Sequence, residues 1–363
     1  MNSKERMLLA LNREKPDRLP VTIHHWQKYH LEHYMKGMTE IQAFEAAGLD
    51  ASVNYSRFAD VLSTDWRVEI KNRKWDDCLV RDYTISTPKG KLSTSEGQNS
   101  ITTWVIEHLI KKPEDIYLLK YMPVPQLDKD GFTSIYDELG DKGILRSLLP
   151  GKQGGCWQDA CELFGVENLI YATFDDPDWV HKFLGILLEQ KLTYIENNLS
   201  NLLFDIIETG GGASSNTIIS PAIHKEFCLP YDTKIHDALH NVGQKAVYHT
   251  CGGMMKILDL IVQNHCDVSE TLSPVAMGGD IRSGEDAEYV RKKLLPHVGM
   301  IGGMDQANIL GSGNRSNIEK EVKRLFKVFG RDGGYICSAS DNFFHVPYSD
   351  LVAFAEAGKA CLY

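Results

Sequence analysis

The sequence predicts an α/β fold, a (β/α)8 barrel of the TIM type with N-terminal helices and an inserted antiparallel β-ribbon. Three observations predict it. From about residue 143 to the end, short apolar strands alternate with helical stretches, and repeated strand–helix units imply a parallel sheet covered by helices. The number of units suits a closed barrel better than a doubly wound sheet. No G-x-G-x-x-G follows a strand, and Gly210-Gly211-Gly212 lacks the third glycine at its spacing, so a dinucleotide site has little support.

In chain order, residues 3–12 read as a helix with Ser3 as N-cap and Met7, Leu8 and Leu11 on one face. Pro16 ends it, and Leu19 to Ile23 reads as a first buried strand opening into His24-His25-Trp26. Residues 64–106 alternate polar with apolar or small groups, with Pro88-Lys89-Gly90 as a turn between Trp66–Ile70 and Leu92–Ser95, the pattern of an antiparallel ribbon. Strands then follow at 143–149, 203–208, 245–249, 267–271, 299–303 and 334–338. Helices are expected from Trp157 to Phe164, over 178–200, 222–241, 253–264, 285–294 and 316–329, and from Ser349 onward. The chain, 1–363, reads as one barrel domain whose helical and ribbon elaboration covers about residues 1–140.

With 363 residues, 43% hydrophobic and 24% charged, the chain can bury the core of a large barrel. A formal net charge of −10 without a clustered basic face argues against nucleic acid or an anionic membrane as partner. No apolar run approaches the ~20 residues that span a bilayer, and the N-terminus has no apolar core of a signal peptide. The eight cysteines form no repeating framework and read as reduced thiols of a cytoplasmic protein, mostly small buried hydrophobes.

Catalytic groups of such barrels sit at the C-terminal strand ends. Here those ends carry His24-His25, Glu208, His249-Thr250-Cys251-Gly252-Gly253, Glu270, Asp305-Gln306 and Ser340-Asp341-Asn342. In extended chain, residues i and i+2 point the same way, so the imidazole of His249 and the thiolate of Cys251 can face one ion. Zinc accepts this N/S mixture and needs at least one further ligand, with a position left open for catalysis. Cys337, Glu208 and Asp341 are the candidates for the third place. Cys337 supplies the softer donor but stands in the apolar run Tyr335-Ile336-Cys337; the two acids would be hard oxygen donors, with a substrate hydrogen bond or a helix cap as their ordinary roles. Asp305 reads as a rim acid for substrate or as a helix cap. His24, His25 and Trp26 read either as a flat aromatic-binding wall or as surface packing, Asn342 and Phe343, with Phe344, read as substrate-binding, and His236 and His240 read as solvated helix residues.

At these residues the chain resembles the uroporphyrinogen decarboxylase superfamily. The resemblance lies in Lys4-Glu5-Arg6, Lys15 to Val21, Ser220-Pro221, His249-Thr250-Cys251-Gly252, Gly302-Gly303-Met304-Asp305 and the Gly-Tyr-Ile-x-Ser-x-Ser-Asp segment at 334–341. It implies a (β/α)8 barrel. The decarboxylases of the superfamily carry an arginine-rich segment after the first strand; Ile23 to Tyr29 holds no arginine here, which disfavours porphyrinogen decarboxylation. The other branch, corrinoid-dependent methyltransferases, binds zinc through H-x-C and a later cysteine. His249 and Cys251 match, and the later position falls near Ser340-Asp341, with Cys337 just upstream.

Exchanging a thiolate for a carboxylate leaves a stronger Lewis acid. The resemblance therefore implies Zn2+, a partner protein carrying cobalamin, and a small methylated, possibly aromatic methoxy substrate that is O-demethylated. In this reading Glu208 or Asp341 completes the metal site or donates a proton. The alternatives are a methylcorrinoid:thiol methyltransferase and a uroporphyrinogen decarboxylase.

Overall fold

The computed structural model describes residues 1–59 and 61–363. Eight parallel strands make the barrel: β1 (Val21–Thr22), β2 (Ala51–Asn54), β3 (Gly143–Leu148), β4 (Ile206–Gly210), β5 (Ala246–His249), β6 (Val268–Thr271), β7 (Gly299–Met304) and β8 (Tyr335–Ala339). Their hydrogen-bonded order is β1-β8-β7-β6-β5-β4-β3-β2. One side chain bridges the remaining gap. The Asp50 amide donates to Val21 O at 2.9 Å, and the Val21 amide donates to Asp50 Oδ2 at 3.0 Å. Arg6 and Arg18 neutralise the buried Asp50 carboxylate at 2.8 and 2.9 Å, so the junction of first and second strands is ionic where the others are ladders.

A period of two explains why the barrel has a dry floor and a charged upper layer. Ile144, Ile206, Val247, Val268, Ile301 and Ile336 point inward and form one apolar cluster. Two residues further along the same inward faces come Arg146, Glu208, His249 and Glu270. The helix α1 (Ser3–Leu11) plugs the bottom, with Met7, Ala10 and Leu11 buried in the same cluster. Its N-cap is Asn2, whose side chain accepts from Glu5 N at 2.8 Å. The expected cap, Ser3, instead donates its hydroxyl to Asp50 Oδ1 at 2.7 Å.

The insertion lies between β2 and β3. It contains a two-stranded pair, Phe58–Ala59 with Gln126–Leu127, and a four-stranded antiparallel sheet of Arg67–Trp75, Cys78–Thr87, Gly90–Gln98 and Thr103–Glu107. The turn at Pro88-Lys89 therefore joins the second and third of these strands, whereas the sequence pattern placed it between the first and third. Ile85 and Leu92 are buried in the large cluster that surrounds the barrel wall. The barrel strand Ala51–Asn54 gave no sequence signal, because Ser52 and Asn54 interrupt its two apolar residues, Ala51 and Val53. No helix among the described residues is long and apolar enough to cross a membrane.

Candidate metal centre

β5 delivers His249 to the barrel axis and alternation sends its neighbours outward. Tyr248 enters the helical layer, where its hydroxyl donates to Asp232 Oδ2 at 2.9 Å. The strand ends at His249; two residues on stands Cys251, and Gly252 turns the chain with φ +144, where a Cβ would lie 2.5 Å from Ser215 Oγ. Asp280 holds the next turn, accepting from the amides of Met254 at 2.8 Å and Met255 at 3.2 Å. Gly212, at the end of β4, leaves space for the thiol: a Cβ at that position would sit 2.7 Å from Cys251 Sγ.

The ligand atoms of His249, Cys251 and Asp341 lie within 4.8 Å of one another. His249 is fully buried, while Cys251 and Asp341 are half-buried, so the trio opens on the mouth side. The His249 ring has one committed and one free nitrogen. Nδ1 is 3.1 Å from Glu270 Oε1, whereas Nε2 is buried without a hydrogen-bond partner among the described residues. A buried polar atom without a partner is costly. An imidazole that donates from one nitrogen to a carboxylate and presents the other to a metal is the usual arrangement in zinc sites. Three donors, one nitrogen, one sulfur and one oxygen, fit a zinc site with a fourth position free.

A second acidic group adjoins the first. His24, Glu208, His249 and Glu270 are all buried and also lie within 4.8 Å, but this group already holds a cation. Arg146 Nη2 donates to Glu208 Oε2 at 2.7 Å and to Glu270 Oε1 at 2.8 Å, and Nη1 donates to Glu270 Oε2 at 3.2 Å. Burial alone would raise the pKa of both glutamates, yet the guanidinium beside them holds both well below the ordinary carboxylate range. His25, with Nε2 3.3 Å from Glu208 Oε2, is pushed down to about 4 by burial and by neighbouring His24. This layer is thus an ion-paired knot in which one guanidinium bridges two carboxylates.

The structure sorts the sequence-predicted residues. Cys337 does not join His249 and Cys251. It alternates with inward Ile336 and so points into the outer layer, where burial pushes its thiol up and Glu321, Cys361 and Arg324 are its charged and polar surroundings. Glu208 also stays outside the trio and, held ionised by Arg146, has no proton to donate near neutrality. Asp305 is a cap: its Oδ1 accepts from the amides of Ala307 and Asn308 at 3.0 and 2.8 Å.

His24 reaches the centre, its ring centroid 4.9 Å from that of His249. Trp26 and Phe343 are buried against each other, with centroids 6.3 Å apart, and Trp26 also packs on Phe44. They are core rather than an open wall. Asn342 accepts from Gln27 Nε2 at 2.8 Å. His236 is fully buried between Thr209 Oγ1 at 2.7 Å and Asn264 O at 2.5 Å, not solvated, whereas His240 is exposed as expected and pairs with Asp267.

Two residues at the site carried sequence signals that went unread. A lone arginine in the apolar strand Gly143–Leu148 marks Arg146. Gln153 stands in the glycine-rich turn after β3; its Oε1 accepts from Gly212 N at 3.0 Å and its Nε2 lies 4.0 Å from Cys251 Sγ.

The family model described as uroporphyrinogen decarboxylase (URO-D) matches residues 105–360. Among solved structures, a methyltransferase from Methanosarcina mazei superposes with a TM-score of 0.64 at 16% identity, covering 99% of this chain and 98% of that one. A D-psicose 3-epimerase in the presence of D-fructose gives 0.38 at 10% identity, over 67% and 84% of the two chains. No curated protein matches. The barrel, its strand-end residues and the match over most of its length place this chain in the uroporphyrinogen decarboxylase family.

Proposed function

We propose that this protein is a zinc-dependent methyltransferase that moves a methyl group from a small methoxylated substrate to a corrinoid protein docked at the barrel mouth. One observation carries the reading: His249, whose Nε2 is buried and unpartnered, forms one donor set with Cys251 and Asp341. His249, Cys251 and Asp341 would hold the metal, and Glu270 would fix the ring that presents Nε2 to it. The ion would supply a Lewis acid for the oxygen of the substrate's methoxy group. A carboxylate in place of a second thiolate suits that task.

The chain's own residues then orient and insulate. Arg146 bridges the two carboxylates beneath the metal set, and the buried trio of Trp26, Phe343 and His30 stiffens the wall near His24, with the His30 and Phe343 centroids 4.9 Å apart. In the transfer, the carbon–oxygen bond breaks with its electron pair left on the substrate oxygen, which then takes a proton from solvent. A reduced corrinoid carried by the partner would supply the electron pair that takes up the methyl group. Decarboxylation of a tetrapyrrole finds less support. The buried arginine is bonded to two glutamates, and the segment after β1 offers none for substrate carboxylates.

The test uses the purified chain and cob(I)alamin. One zinc per chain, lost in both His249→Ala and Cys251→Ala, together with methylation of cob(I)alamin by methoxylated compounds without any thiol, is expected. Thiol-dependent demethylation of methylcobalamin would establish the reverse direction, and freshly purified protein without zinc would count against the whole scheme.

A further inference from the structure

From Gly210 to Gly212 the end of β4 carries no side chains, and two glutamine amides reach the backbone there. Gln158 Oε1 accepts from Ala213 N at 2.9 Å, and Gln153 Oε1 accepts from Gly212 N at 3.0 Å. A Cβ on Gly212 would stand 2.7 Å from Cys251 Sγ and 4.0 Å from Gln153 Oε1, so a side chain there would push the amide and the thiol apart. With glycine in place, Gln153 Nε2 lies 4.0 Å from Cys251 Sγ.

The turn that carries Gln153 is held on both sides. Before it, buried Lys191 donates to Pro150 O at 2.8 Å and to Asp159 Oδ2 at 2.6 Å, and Asp159 Oδ1 accepts from Lys152 N at 3.1 Å. After it, Gly155 N donates to Gly210 O at 2.8 Å. The amide also has only one orientation. A backbone N–H donates and cannot accept, so the amide oxygen faces Gly212 and the NH2 group faces the sulfur.

We propose that Gln153 is a positioning residue of the metal centre, whose amide N–H donates to the Cys251 thiolate and draws electron density from the sulfur. This role rests on the zinc reading above and acts through Cys251. A neutral thiol is a weak acceptor, which suits a long contact, whereas a thiolate is a charged acceptor that binds an N–H more strongly. Hydrogen bonds to a ligating sulfur tune the metal it holds. The amide then works in the same direction as the Asp341 carboxylate: both leave the ion a stronger electrophile.

Cobalt(II) in place of zinc reads the sulfur directly, because a thiolate ligand gives it a sulfur-to-metal charge-transfer band in the near ultraviolet. The full chain loaded with cobalt(II) is compared with Gln153→Leu and Gln153→Glu. Gln153→Leu loses both hydrogen bonds; Gln153→Glu keeps an acceptor for Gly212 N and loses only the donor. In both, the sulfur gives up electron density more readily, and the band moves to longer wavelength than in the wild type. A glutamine that merely props the turn against Gly212 predicts a shift in Gln153→Leu alone. That result, or a band that neither variant moves, overturns the role of Gln153 and leaves the metal centre standing. A wild type that shows no such band has no thiolate on the metal, and overturns the zinc reading together with this one.

Discussion

His249 and Glu270 stand opposite each other in the parallel pairing of β5 with β6, and the imidazole Nδ1 lies 3.1 Å from Glu270 Oε1. Register alone makes this contact, because both residues follow an inward-facing valine by two positions. The bond selects the tautomer that leaves Nε2 bare toward Cys251. Glu270→Gln keeps the size and removes the charge. Its zinc dissociation constant, read by chelator competition, is expected to rise about tenfold to a hundredfold. Unchanged affinity would show that Glu270 does not orient the ligand.

Arg146 compensates two buried carboxylates at once. Removing one partner of a buried ion pair strands the other charge, at a cost of about 3–5 kcal/mol. Arg146→Met is therefore expected to lower stability by an amount of that order in a denaturant titration. Adding Glu208→Gln and Glu270→Gln should recover much of it, since the stranded charges go. The same variant unmasks the four-residue acidic group. Millimolar divalent cations are expected to raise the melting temperature of Arg146→Met by more than they raise that of the wild type. Equal shifts would mean that the guanidinium is not standing in a cation's place.

The third donor separates two readings that the sequence left open. Asp341 lies with His249 and Cys251, while Cys337 faces the helices. Asp341→Ala should lower zinc affinity, with zinc content falling on dialysis. Cys337→Ser should retain zinc while losing up to about 1–3 kcal/mol of stability, because it places a more strongly hydrated hydroxyl at a fully buried position. Zinc lost from Cys337→Ser in folded protein would reverse the assignment.

The sequence revealed most of the barrel, since seven of its strands stand as short segments between turns and helical stretches and the H-x-C pair stands at a strand end. It hid what depends on closure. Ala51–Asn54 is a strand because β3 and the Asp50 bridge hold it there, and neither is a local property. Cys337 carried the right chemistry for a ligand, but the same period of two that aimed His249 inward aimed Cys337 outward; counting from inward-facing Ile336 would have shown it. Arg146, Glu208 and Glu270 come from three strands, and only the staggered register of the closed barrel brings them into one knot. Trp26 and Phe343 suggested a wall by type, whereas helices packed over them made core.

Two buried histidines outside the metal centre set the acid limit of stability. Burial pushes His224 and His236 down to about 4, from an ordinary value of 6.5. His224 Nδ1 donates to Ser214 O at 2.8 Å, and its Nε2 has no partner among the described residues, so a proton added there would point at nothing. The unfolded chain takes up these protons near pH 6.5 and the folded chain resists until about 4. Their stabilising contribution is therefore complete above the unfolded value and is lost as pH falls through the window from 6.5 to 4. Each tenfold difference in proton affinity between the two states is worth about 1.4 kcal/mol per group.

Asp232 acts in the opposite sense. Burial raises it to about 7 from 3.8, so its contribution is complete below 3.8 and is lost as pH rises from there through 7. Over pH 4 to 6.5 the two rising histidine contributions outweigh the falling one of Asp232, so urea titrations from pH 4 to 8.5 are expected to show a maximum at about 6.5. His224→Gln should flatten the acid limb, and Asp232→Asn should steepen it and abolish the decline from there to 7. An acid limb unchanged in His224→Gln would mean that this ring is not held neutral by the fold.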